Sequence, residues 1–112
     1  MDKIREHEDF IAAIRSKRLV LLTFFSKEDG HDLKRTCAPV DYGTNRRKGR
    51  ICGDRKPRYH FWDYDSDKKS HVLSKVADEI RKIEFINKSF DPNEFIKDFN
   101  ISINPWWITR SW

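Results

Sequence analysis

The sequence is short of several things, and each absence removes a class of protein. It has only two cysteines, Cys37 and Cys52, so a disulfide scaffold is not expected and reduced thiols are the default. No apolar run approaches the roughly 18 residues that a membrane-spanning helix needs. The start, "MDKIREHEDF", is charged from its second residue, which argues against a targeting segment. A cytoplasmic protein without a membrane span is therefore expected. No internal repeat or low-complexity tract occurs, and no nucleophile elbow, phosphate loop or carboxylate pair announces catalysis. Cys37, Cys52, His60 and His71 lack the paired close spacing of zinc sites, and no cofactor is expected.

Aromatic residues, by contrast, are plentiful: eight Phe, four Trp and three Tyr in 112 residues. They supply large apolar pieces for one modest core, so residues 1–112 are expected to form a single domain. Mean hydropathy is −0.83 and 37% of residues are charged, yet the apolar residues are clustered, unlike those of a disordered chain.

The charge is unevenly placed. Net charge is +5, but between Thr44 and His60 seven basic residues stand against the single acid Asp54, so that segment carries +6 and the rest of the chain −1. A basic excess confined to one segment is the footprint of a polyanion-binding patch, or of a solvated loop. The basic run leads directly into "RYHFWDY", a period-2 strand with Tyr59, Phe61 and Asp63 on one face and Arg58, His60, Trp62 and Tyr64 on the other. Arginine forks pair with phosphate oxygens and aromatic faces stack on unpaired bases. The candidate ligand site is thus Arg46, Arg47, Arg50 and Arg58 for charge, with Tyr59, His60 and Trp62 for stacking. The structural alternative is that Tyr59 and Phe61 fill the core and Trp62 packs on a terminal helix.

Elsewhere, Ile4, Phe10, Ile11, Ala13 and Ile14 form one stripe of an amphipathic helix over 2–17 of about four turns, with Asp2 as its cap. "LVLLTFF", Leu19–Phe25, reads as a strand buried on both faces. "DLKRTCAPVDYG" continues as a strand that Pro39 restricts to an edge or bulge. "RRKGRICG" suits a weak ribbon, "SHVLS" a short strand, "KVADEI" one helical turn and "RKIEFIN" a last strand. In "DPNEF", Asp91, Pro92 and Glu94 make a helix start, predicting a short helix over 91–99 with Phe95, Ile96 and Phe99 inward. The tail, 100–112, holds Trp106, Trp107 and Trp112 and either folds back or anchors a protein partner or a second copy. "DYDSDK" has the carboxylate spacing of a calcium loop, but Lys68 stands where Gly is needed, which favours a hairpin turn. This element order predicts a mainly β fold: a small SH3/Sm-like β-barrel over 19–87 with flanking helices.

"AIRSKRLVLLTFFSKEDGHDLKRTCAPVDYG" resembles the opening of the Trp-Tyr-Leu (WYL) domain family, with a helix ending in Ala-Ile, a buried strand and an Arg-Thr-x-x-Pro strand. "RYHFWDYDSDKKSHVLSKVADEIRKIEFINKSFDP" resembles its closing half, including Ile80 and Phe90-Asp91-Pro92. The departures are Arg58-Tyr59-His60 in place of the name motif and His71, Val72 and Leu73 in place of an Arg-x-Phe-Arg pattern. The resemblance implies an SH3-like barrel that binds nucleic acid or an anionic nucleotide-like ligand without catalysis, usually as the sensing part of a bacterial regulator. The helix-turn-helix that many members carry is not expected here. By carry-over from the Arg-Thr-x-x-Pro segment it also places Arg35 and Tyr42 near the binding surface, although Arg35 is equally suited to pairing with Asp41 or Glu28. Two further readings stand beside this one. A protein-interaction or oligomerisation module would use Trp106, Trp107 and Trp112, and a ribonuclease would use His31, His60 and His71 with the arginines.

Overall fold

The computed structural model describes residues 2–44, 46–47, 50–51, 56–66, 71–99 and 106–112, with the backbone alone at 46, 47, 50, 51, 98 and 99. A helix, α1 (His7–Ser16), leads into β1 (Arg18–Ser26) and β2 (His31–Gly43). A small ribbon follows, β3 (Arg46–Arg47) and β4 (Arg50–Ile51), then β5 (Arg58–Asp63) and β6 (Val72–Lys75). A 3-10 turn at Ala77–Glu79 precedes β7 (Ile80–Ser89), and two more 3-10 turns lie at Pro92–Glu94 and Ile96–Phe99. No described helix is long and apolar enough to cross a membrane.

The five long strands form one antiparallel sheet in the order β6-β5-β2-β1-β7. The fold is mainly β as expected, but the sheet does not close into a barrel. Among the described residues its edges are β6 and β7, which are not hydrogen-bonded to each other.

Each face of the sheet has its own cover. On one, Phe10 and Ile14 of α1 meet Val20, Leu22 and Phe24 of β1, Cys37 of β2, Tyr59 and Phe61 of β5 and Ile83 of β7. On the other, Ala38 and Val40 of β2 pack with Phe90 and Phe95, under Trp62, Tyr64, Trp106 and Trp112. Fully burying one such aliphatic or aromatic side chain contributes roughly 1.5–3 kcal/mol. The strand buried on both faces is therefore β2 at 37–41. β1, expected in that role, alternates between buried and half-buried residues, with Leu19 packed against the second-face cluster. Pro39 is accommodated inside the sheet by a bulge, seen as a register shift between Pro39 and Asp41 against β5.

Two helices differ from the sequence expectation. α1 begins at His7, not residue 2, and its N-cap Glu6 makes no side-chain capping bond. Residues before it are held against the sheet instead: the Ile4 N–H donates to the Tyr59 hydroxyl (3.0 Å) and the Tyr42 hydroxyl donates to the Asp2 carbonyl (2.6 Å). Those bonds take groups that a longer helix would need. The helix ends on Lys17 in the left-handed region (φ 57°), donating its N–H to the last turn. The predicted helix over 91–99 is two 3-10 turns interrupted at Phe95 (φ −143°). Asp91 does cap, accepting from the Asn93 N–H at 3.0 Å, but burial of the Phe95 ring, 1% exposed, pulls that residue out of helical geometry.

Candidate functional site

The alternation of "RYHFWDY" is observed, and its two faces do structural work. Tyr59 is fully buried, with its ring edge-on to Phe10 at 4.8 Å. Its hydroxyl accepts from the Ile4 N–H and shares a hydrogen bond with His7 Nδ1 at 2.7 Å. Burial pushes its pKa up to about 12. His60 donates from Nε2 to the Gly43 carbonyl (3.0 Å) and accepts at Nδ1 from the Ser74 hydroxyl (2.7 Å). Burial holds its pKa below the usual histidine value. Trp62 stacks on His71 at 4.9 Å and on Phe95 at 5.5 Å. The three residues predicted to stack on a ligand are thus occupied by neighbours within the fold.

Tyr42 is half-buried, tilted against Tyr59 at 4.5 Å, and bonded to Asp2. Arg35 faces Asp63 at 3.6 Å, a partner that the sequence reading did not name. The pairing follows from register, because Cys37 opposes Asp63 across β2 and β5 and Arg35 lies two residues away on the same face. Asp63 is buried, which raises its pKa despite that arginine. Its Oδ1 also accepts the Asp65 N–H (2.9 Å), and Asp65 accepts from the Thr36 N–H (2.6 Å). These carboxylates brace a turn; Asp67 and Lys68 lie outside the described residues. Cys37 is a buried thiol whose pKa burial raises well above normal, and Cys52 lies outside the described residues.

The basic run forms its own two-stranded sheet, with Arg46 opposite Ile51 and Arg47 opposite Arg50. It is inserted between β2 and β5, and at its root Gly43 pairs with Arg58. Arg46, Arg47 and Arg50 are described here by backbone only.

A cleft of about 410 Å³ opens on the α1-side face beside β6, lined in part by Ser26, Leu33, Arg35, Asp63, Leu73 and Lys75. Its charges balance: Lys27, Arg35 and Lys75 are matched by Glu28, Asp29 and Asp63. These groups are already engaged within the fold: Arg35 meets Asp63, Lys75 donates to the Phe25 carbonyl at 3.4 Å, Lys27 lies 3.9 Å from Glu79 and Asp29 accepts from the Ser26 hydroxyl. Among the described residues the cleft is therefore not a net-positive surface.

The sequence reading missed the pair that fixes the C-terminal tail. Asp41, almost fully buried, accepts from the Trp107 N–H (3.0 Å), the Ile108 N–H (2.9 Å) and Arg110 Nη2 (3.2 Å). The Arg110 side chain is 1% exposed, donates to the Val40 carbonyl, and lies 4.2 Å from the Trp106 ring centroid and 4.6 Å from that of Trp112. Burial lowers its pKa to about 10, with Asp41 opposing the shift, so it stays charged at neutral pH. Trp112 donates to the Ile14 carbonyl (2.8 Å) and Arg15 to that of Thr109 (3.0 Å), tying the tail to α1. A lone arginine inside "NPWWITRSW" and a lone acid after "APV" were the available signal.

No protein-family model matches the sequence, and no curated protein is similar to it. The fold is similar to part of the solved structure of proteasome accessory factor B/C (PafBC) of Arthrobacter aurescens, with a TM-score of 0.54 and 17% identity. The likeness covers 75% of this chain and 11% of that one, so the chain corresponds in fold to a small segment of a much longer protein.

Proposed function

We propose that this chain is a binding module, not an enzyme, and that its ligand is single-stranded nucleic acid or an anionic nucleotide-like molecule recognised chiefly by charge. The observation that carries this reading is the separate β3–β4 ribbon, which lies within the segment holding the +6 excess while the remainder of the chain sums to −1. Arg46, Arg47 and Arg50, with Arg58 at the ribbon's root, supply the phosphate contacts. Tyr59, His60 and Trp62 support them from within the sheet. The balanced cleft beside Arg35 is less suited to a polyanion than this ribbon.

Fold likeness to a segment of PafBC agrees with the WYL-type reading of the sequence. Binding is favoured over catalysis because the histidines of the ribonuclease reading, His31, His60 and His71, each hold hydrogen bonds within the fold. The protein-interaction reading loses support from the docking of Trp106 and Trp112 around Arg110. A fluorescence-anisotropy titration with labelled single-stranded DNA and RNA tests the proposal. Wild type binds both or one of them and R46A/R47A loses most of that affinity; equal binding by the two proteins would remove the ribbon from the account.

A further inference from the structure

Strand register brings a cation and an acid together in the cleft beside β6. Arg35 lies two residues from Leu33 on β2, and Leu33 opposes Phe24 of β1. Asp63 lies two residues from Phe61 on β5, and Phe61 opposes Leu73 of β6. One face of the sheet therefore carries an arginine and an aspartate beside Leu33 and Leu73, half-buried side chains packed against the core. The cleft volume, about 410 Å³, is in the range of small-molecule sites.

The polar groups of this wall are only partly used by the fold. Arg35 Nε stands 3.6 Å from Asp63 Oδ2, beyond hydrogen-bond length. Among the described residues the Arg35 guanidinium makes no hydrogen bond, and its side chain is 29% exposed, so both terminal amines keep their N–H donors. Lys75 makes one long bond, 3.4 Å to the Phe25 carbonyl, and carries two further N–H groups. His71 Nδ1 lies 2.6 Å from the Asp63 carbonyl. A carbonyl only accepts, so Nδ1 carries the proton and Nε2 of the neutral ring is an acceptor.

A cation and an anion side by side, too far apart to satisfy each other, match a ligand that carries both charges on neighbouring atoms. The balanced charge of the cleft selects the same chemistry, because a zwitterion enters without adding net charge. We infer that the cleft binds a free α-amino acid with an apolar side chain. Its carboxylate pairs with the Arg35 fork, with Lys75 as a second cation in the same cleft. Its ammonium donates to Asp63 Oδ2 and His71 Nε2, and its side chain covers Leu33 and Leu73. This site is separate from the ribbon and does not rest on the function proposed above.

The test titrates the full chain with leucine and follows the backbone amides by NMR. Three controls each lack one part of the ligand: isocaproate has no ammonium, isoamylamine no carboxylate, and glycine no apolar side chain. Leucine is expected to shift the amides of Leu33, Arg35, Asp63, His71 and Leu73, and each control to bind roughly 10-fold more weakly or worse. R35M keeps the aliphatic stem and D63N keeps the shape of the side chain; each should lower leucine affinity roughly 10- to 150-fold, with circular dichroism and melting close to wild type. Should D63N not fold, the wild-type comparison of leucine with isocaproate and isoamylamine still decides. Absence of any shift in wild type at about 10 mM leucine would overturn the inference. So would isocaproate binding as tightly as leucine, which would make the cleft a simple anion site. Either result leaves the ribbon untouched, since that is tested by oligonucleotide binding.

Discussion

Replacing Asp41 with alanine should release the C-terminal tail. The substitution strands a guanidinium whose side chain is 1% exposed and leaves the Trp107 and Ile108 N–H groups without their acceptor. Removing one partner of a buried ion pair costs about 3–5 kcal/mol. Two effects hold the value to the lower end, about 3 kcal/mol: Arg110 keeps its Val40 bond and its two indole contacts, and the tail can lift away to hydrate the charge. A loss of that size would lower the melting temperature by about 10–20 °C in a domain of this length. Urea unfolding followed by tryptophan emission measures it, with limited proteolysis reporting exposure of residues 106–112. The decisive control is D41A/R110M. If the penalty is a stranded charge, the double variant should be more stable than D41A, with a coupling of about 2 kcal/mol between the sites. A D41A protein within about 0.5 kcal/mol of wild type, or strictly additive losses, would refute the reasoning.

Y59F should cost about 1–2 kcal/mol by leaving the Ile4 N–H and His7 Nδ1 without their shared hydroxyl, and hydrogen exchange at the Ile4 amide should accelerate. His7 and His60 both have pKa values lowered chiefly by burial. Between those folded values and the ordinary 6.5 the unfolded chain binds more protons, so stability is full above pH 6.5 and declines as pH falls through the folded values; the urea midpoint should drop from about pH 7 to about pH 5. At the alkaline end Tyr59, raised from 10 to about 12, acts with Tyr42 and Tyr64, which burial also raises: the Tyr59 contribution, on the order of 2–3 kcal/mol, is complete below pH 10 and is lost as pH rises through 12. G43A, whose added Cβ would meet the Trp107 indole, should shift Trp107 emission while leaving helix and sheet circular dichroism close to wild type.

Much of the fold was legible because period-2 alternation and turn residues act locally. The faces of β5 follow directly from "RYHFWD", and β6, the Ala77–Glu79 turn and β7 from short local patterns; Pro39 restricted its strand to an edge or a bulge, and the bulge is the one that forms. What was not legible depends on contacts distant in sequence. "LVLLTFF" has the composition of a doubly buried strand, but which strand is covered on both faces is decided by where the C-terminal segment lands. The packing of the stacking candidates was not legible for the same reason: Trp62 stands beside a basic run in sequence, and its contacts with His71 and Phe95 lie nine and thirty-three positions on. Asp41 and Arg110 are 69 residues apart, and no local rule joins them. Barrel closure likewise depends on whether two edges meet, which propensity does not encode.

The central claim is that the ribbon binds phosphates, and the salt dependence of single-strand affinity tests it most directly. Measured from about 50 to about 200 mM salt, each phosphate contact contributes a slope of about −0.7 in log K against log salt. The account predicts a wild-type slope corresponding to several contacts, and one shallower by about 1.4 in R46A/R47A, because two of them are gone. A slope near zero, or one that R46A/R47A leaves unchanged, would contradict it.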